Sequence, residues 1–221
     1  MQTAHDRRPG IIRIAVLAVL ASAALLLSGC IDIVQYVSGT GSDIDVFFRL
    51  TLQKGIFEMA NAFGDQPQDL DSMFEEEFNL DEDEVISELP PGVSADFTSV
   101  NSDSEFGFEL RYSASRKALD GLSDDEAAFV PRVSPQGIVI PLPEGNGSAE
   151  TDEFANAFLG SAKYRLMISK RLVSRISDAR IISGPDSTSI SVTDLPDVWL
   201  LEFPIGLWYA SDYSPRVEIL F

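Results

Sequence analysis

The sequence predicts an α+β fold, a mainly antiparallel β-sheet with a few short packed helices. Three observations predict it. Ile44, Val46, Phe48, Leu50 and Leu52 alternate with Asp45, Phe47, Arg49, Thr51 and Gln53, the period-two pattern of a half-buried strand. Similar runs recur along the chain between turn clusters such as Pro90-Pro91-Gly92, Gly184-Pro185-Asp186 and Ser214-Pro215. Helical stretches are too short and too few to supply the crossovers of a parallel sheet. With 221 residues and 45% hydrophobic composition, the chain is long enough for a real core.

In chain order, Ile31–Val37 reads as a strand, Ser38–Ser42 as a turn and Ile44–Gln53 as a second strand, together a hairpin. Gly55–Gly64 reads as a short helix with Phe57, Ala60 and Phe63 loosely on one face. Residues 65–88 carry eleven acidic side chains and no Lys or Arg, punctuated by Phe74, Phe78, Val85 and Ile86. Val93, Ala95 and Phe97 mark a third strand, and Phe106, Phe108, Leu110 and Tyr112 a fourth. Ser115–Leu122 is helical, and Ser123 and Glu126 have capping-box spacing ahead of Ala127. Gly137–Ile140 is a short strand ended by Pro141, residues 143–151 are the best internal loop, and Asp152–Leu159 is helical. Strands follow at 164–172, 176–182, 190–192, 198–203 and 217–221. About nine strands and three or four helices result. Ala-Asn-Ala-Phe occurs at 60–63 and again at 155–158, too little to establish a duplication.

The first thirty residues are different in kind. Arg7, Arg8 and Arg13 precede Ile14–Leu27, 14 unbroken small or apolar residues, too short for a comfortable membrane span and right for a signal h-region. Leu27-Ser28-Gly29-Cys30 follows at once and resembles the lipobox of bacterial lipoproteins. The resemblance implies cleavage between Gly29 and Cys30, a diacylglyceryl thioether on Cys30, and often an acylated, palmitate-like amino group. It divides the chain into a signal peptide, 1–29, and a single envelope domain, 30–221, with 143–151 as the one candidate sub-boundary. It places the protein on the cell membrane or outer membrane, facing the periplasm or exterior. Ile31, rather than Asp, after the Cys selects the outer membrane under enterobacterial-type sorting. The alternative is an uncleaved N-terminal anchor with a free Cys30.

Cleavage would remove three arginines, Asp6 and the only His, His5. It leaves 13 basic against 34 acidic residues. A Ser-His-Asp triad, a Cys-His pair or a His-ligated zinc site is then impossible. An acidic chain of pI ≈ 4.2 is also a poor partner for nucleic acid. No cofactor motif, catalytic set or metal set is read. Asp81–Gly92 has Ile86 where a Ca²⁺ loop needs Gly and Gly92 where it needs Glu, and Asn101–Glu105 fails similarly at Phe106.

The layout after Cys30, a hairpin, a helix and then β-rich sequence, loosely resembles LppM-type lipoprotein domains over roughly residues 31–122. That resemblance implies binding at a membrane surface and carries over no site residues. Members of that group often have a C-terminal transmembrane helix, and no such apolar run precedes Phe221.

Three clusters stand out in the body. Lys163, Arg165, Lys170, Arg171, Arg175 and Arg180 concentrate six basic residues, read as a positive surface or as a charged, aggregation-resistant sheet edge. Val198–Ala210 holds both Trp199 and Trp208, read as a buried strand with a turn at Pro204 or as a lipid-contacting wall. Glu202 sits alone among its apolar residues. The function expected is a non-enzymatic binding or structural role for a lipid, envelope component or partner protein. The alternatives are a carboxylate-based glycan hydrolase and a surface protein responding to divalent cations through 65–88.

Overall fold

A computed structural model describes residues 31–55, 93–120, 122, 128–143, 162–209 and 213–221. The described chain is mainly β. Twelve strands form two sheets, and two short helices, α1 (Arg116–Asp120) and α2 (Gly206–Tyr209), join them. All but Gly55 of the expected helix at 55–64, the expected helix at 152–159, the acidic run 65–88, the capping-box segment 123–127, both Ala-Asn-Ala-Phe words, most of loop 143–151 and the signal region through Cys30 lie outside the described residues.

The first sheet has seven strands. These are β1 (Ile31–Thr40), β2 (Asp43–Gln53), β3 (Ser94–Asn101), β4 (Glu105–Ser115), β7 (Lys163–Ser169), β10 (Val192–Asp194) and β11 (Val198–Pro204). Their order is β10-β11-β7-β1-β2-β4-β3, antiparallel throughout except for the parallel pair β1–β7. The second sheet, β5-β6-β12-β8-β9, is wholly antiparallel and uses β5 (Arg132–Val133), β6 (Gly137–Pro141), β8 (Asp178–Ser183), β9 (Asp186–Ser189) and β12 (Arg216–Leu220).

The expected hairpin forms, with a tighter turn than the Ser38–Ser42 cluster suggested. β1 runs on to Thr40, which pairs with Asp43. Only Gly41 and Ser42 remain in the loop, and Gly41 takes φ 68°. A two-residue hairpin loop needs that positive φ, and glycine supplies it without strain. β7 ends at Ser169, because residues 170–172 turn away, so the expected continuation to Leu172 is not strand.

Alternation then sorts each strand into two faces. One inner row of the first sheet is Leu201–Leu166–Gln35–Phe48–Leu110–Phe97. These rows meet Ile138, Ile140, Ala179, Ile181, Val217 and Ile219 of the second sheet in one apolar core. Each fully buried Ile or Leu there is worth about 1.5–3 kcal/mol of transfer free energy. The two sheets therefore cover each other.

Candidate functional site

Two features of the fold bring polar groups together, one inside the core and one on the outer face of the first sheet. Inside, Gln35 on β1 is fully buried, and the Tyr164 hydroxyl on β7 donates to its Oε1. Gln35 Nε2 donates in turn to the Phe129 carbonyl at 2.6 Å. Phe129 adopts φ 63°, an unusual conformation for a residue with a Cβ. It is held there from both ends, since its N–H donates to the Pro141 carbonyl at 2.8 Å. Its ring lies 5.0 Å from that of Phe48 and stacks at 5.9 Å on Tyr164. Burial pushes the Tyr164 phenol well above the ordinary tyrosine range, and nearby Tyr112 adds to the effect. Burial raises the Tyr112 phenol as well, and among the described residues its hydroxyl has no hydrogen-bond partner. Phenols held neutral in this way are poor bases. The cluster's evident work is to tie the 128–133 segment to the first sheet.

On the outer face, the row between those core rows reads Leu200–Met167–Tyr36–Phe47–Arg111–Asp96. Tyr36 and Phe47 are direct cross-strand partners, both half-buried. Two adjoining hollows open along this row and share Tyr36, Ser38 and Asp45. One, of about 290 Å³, extends over Phe47 to Ser113, Arg111 and Asp96. The other, of about 620 Å³, extends over Gly39 and Thr40 to Lys170, Arg171 and Asp197. The Ser113 hydroxyl donates to Asp45 at 2.5 Å. The Arg111 guanidinium lies 5.2 Å over the Phe47 ring and 3.4 Å from Glu109. Lys170 pairs with Asp194 and lies 4.6 Å over Trp199. Among the described residues, Arg171, Asp96 and Asp197 have no ion-pair partner.

The features singled out in the sequence fall as follows. The basic cluster is not a sheet edge, since β7 and β8 are both interior strands. Arg165 pairs with Asp32 and, at 3.1 Å, with Glu202; Arg180 pairs with Glu218 at 3.2 Å. Only Lys170 and Arg171 of the six line the groove. Glu202 is exposed on the outer face, so its isolation among apolar residues reflects strand alternation. Trp208 is core, 2% exposed, whereas Trp199 is half-buried and donates its Nε1–H to the Val173 carbonyl at 2.9 Å. Residues 101–105 make the tight β3–β4 turn, where Ser102 N–H donates to the Glu105 carbonyl at 2.8 Å. Among the described residues no group of three carboxylates, cysteines or histidines converges on a point that could hold a metal ion. No described helix is long and apolar enough to cross a membrane.

Sequence reasoning missed the groove. Its signal is the pair Tyr36 and Phe47, polar-face positions occupied by aromatic rings on two strands already recognised as a hairpin. No family model matches the chain, and no curated protein matches it closely enough to count as a relative.

Proposed function

We propose that this chain is a lipid-anchored cell-envelope protein with a non-enzymatic binding role, processed to an α+β domain that begins at Cys30. The observation that carries the reading is the sequence Leu27-Ser28-Gly29-Cys30 placed directly against a strand. Two or three acyl chains at about 0.8 kcal/mol per buried methylene would hold such a protein on a bilayer essentially permanently. No flexible tether intervenes, so the start of β1 lies at the membrane surface. At about 3.3 Å per residue, Tyr36 is then about 20 Å and Thr40 about 33 Å along the strand from the anchor. The groove would thus be presented away from the lipid. The same end as Ile31 holds exposed Lys163, and Ile205, bonded to the Ala162 carbonyl at 2.9 Å, leads to Leu207, 41% exposed. A cation and an apolar side chain suit contact with headgroups.

Metabolic labelling with an alkyne fatty acid tests the anchor in cells. The wild-type chain is expected to take up label, and Cys30→Ala to lose it and to accumulate as full-length precursor. Equal labelling of both would overturn the reading. Fractionation alone does not serve, because Ile14–Leu27 would still hold the precursor on the membrane.

A further inference from the structure

We propose that β3 receives an extended segment of a partner protein, which adds a strand to the first sheet and alternates apolar with basic side chains. The four sheet edges among the described residues carry the inference. Three of them are short: β10 has three residues, β5 two and β9 four. Short edge strands are one device by which sheets avoid pairing with other chains. β3 is the exception. Its eight residues pair with β4 without a break from Ser94 to Asn101, and they include no Pro, Lys or Arg. The register shows which backbone groups stay open. Ser102 N–H donates to the Glu105 carbonyl at 2.8 Å, so the pair closing the β3–β4 turn is a hydrogen-bonded one. Opposed residues of an antiparallel ladder alternate between bonded and non-bonded pairs. Val100, Thr98 and Asp96 therefore bond to β4, while Ser99, Phe97 and Ala95 turn their N–H and C=O groups to the open side. Among the described residues no strand lies against them.

The two faces of β3 select the occupant. On the inner face the core row ends at Phe97, whose ring stacks on Phe108 at 5.7 Å and stays half-buried at the rim. Apolar side chains on the added strand would continue that row. On the outer face the added strand would lie beside Asp96, which is exposed between Ser94 and Thr98 and has no ion-pair partner among the described residues. A Lys or Arg opposite it makes a favourable cross-strand pair. The 34 acidic against 13 basic residues of the domain also draw a basic segment in. A second copy of this chain does not fit. It would bring another Asp96 and no cation. Antiparallel pairing of two β3 strands would also point the two β1 strands in opposite directions. On the anchored reading above, both Cys30 ends must enter one bilayer, and in that arrangement they could not.

The test titrates the purified full chain with a short synthetic peptide alternating valine and lysine, and with its valine–glutamate counterpart as control. Amide hydrogen exchange is followed residue by residue by NMR. In the free chain the Ala95, Phe97 and Ser99 amides are expected to exchange at least about tenfold faster than those of Asp96 and Thr98. The valine–lysine peptide is expected to bind and to slow those three amides, and the valine–glutamate peptide to do neither. Ser99→Pro removes an outward N–H that β4 does not use, so it should weaken binding about tenfold or more with the melting temperature near wild type. Asp96→Lys should reverse the preference between the two peptides. Slow exchange of the three amides without peptide would overturn the proposal, since the edge would already be covered by this chain or by a second copy. No binding of the valine–lysine peptide at about 1 mM, undiminished binding by Ser99→Pro, or an unchanged preference in Asp96→Lys would overturn it as well. The titration needs no membrane, so its failure leaves the lipid anchor untouched, and loss of the anchor leaves the titration valid.

Discussion

The hydroxyl of Tyr164 on β7 donates to Oε1 of Gln35 on β1, and both side chains are fully buried. These strands form the one parallel pair of the first sheet, and the Gln35 amide extends the link to the Phe129 carbonyl. A buried amide is tolerable only with its partners present. Tyr164→Phe is therefore expected to destabilise the fold by about 1–3 kcal/mol, and Gln35→Leu by at least as much, since it orphans two groups. The double variant should cost clearly less than the sum, because no orphan hydroxyl or amide is left between these two positions. Tyr112→Phe removes a buried hydroxyl that has no partner among the described residues, and should be neutral or stabilising by about 1 kcal/mol. Urea unfolding of the four variants checks all of this.

The same two phenols set an alkaline limit. Both are held neutral by burial, with folded-state values above the usual one near 10. Below about pH 10 both folded and unfolded chains keep these protons, so the full stability is present. As pH rises further the unfolded chain releases them first, and stability should fall by about 1.4 kcal/mol per pH unit for each tyrosine. Tyr112→Phe should remove one proton from that slope, measured by urea titrations between about pH 9 and 11.

Many strands of both sheets were legible because apolar and polar residues largely alternate along them. β1, β2, β3, β4, β7, β8, β11 and β12 all fall within a few residues of their apolar runs. β9 was not legible, since Asp186-Ser187-Thr188-Ser189 is wholly exposed and carries no apolar signal. β5 is two residues long, too short for any period. The division into two sheets was invisible for a different reason: alternation says which side chains turn inward and nothing about what they meet. The groove escaped similarly. Phe47 reads as a break in the polar face of β2, and its meaning emerges only when register sets it opposite Tyr36.

Register also fixes which glycines are replaceable. A Cβ on Gly107 of β4 would lie 2.0 Å from the Leu50 carbonyl oxygen, and the residue holds φ 151°. Gly107→Ala is expected to cost about 3 kcal/mol and to separate β2 from β4 locally. At Gly41 the turn is open, with no atom within 4 Å of a Cβ, so Gly41→Ala carries only the penalty of positive φ, about 1 kcal/mol. Thermal melts of the two variants give the comparison.

Arg165 links three strands through Asp32 and Glu202, yet all three side chains are about a third or more exposed. Water and salt screen such pairs. Arg165→Met is expected to cost less than about 1 kcal/mol, and the difference should shrink further in high salt. A loss of several kcal/mol, insensitive to salt, would mean that the pairs are far better shielded than their exposure implies.

Every statement about where this domain sits depends on Cys30. Mass spectrometry of the N-terminus of the chain isolated from its native membrane tests that most directly. The account predicts a mature chain whose first residue is Cys30, carrying a diacylglyceryl group on sulfur. An intact Met1, or cleavage elsewhere leaving Cys30 as a free thiol, would contradict it.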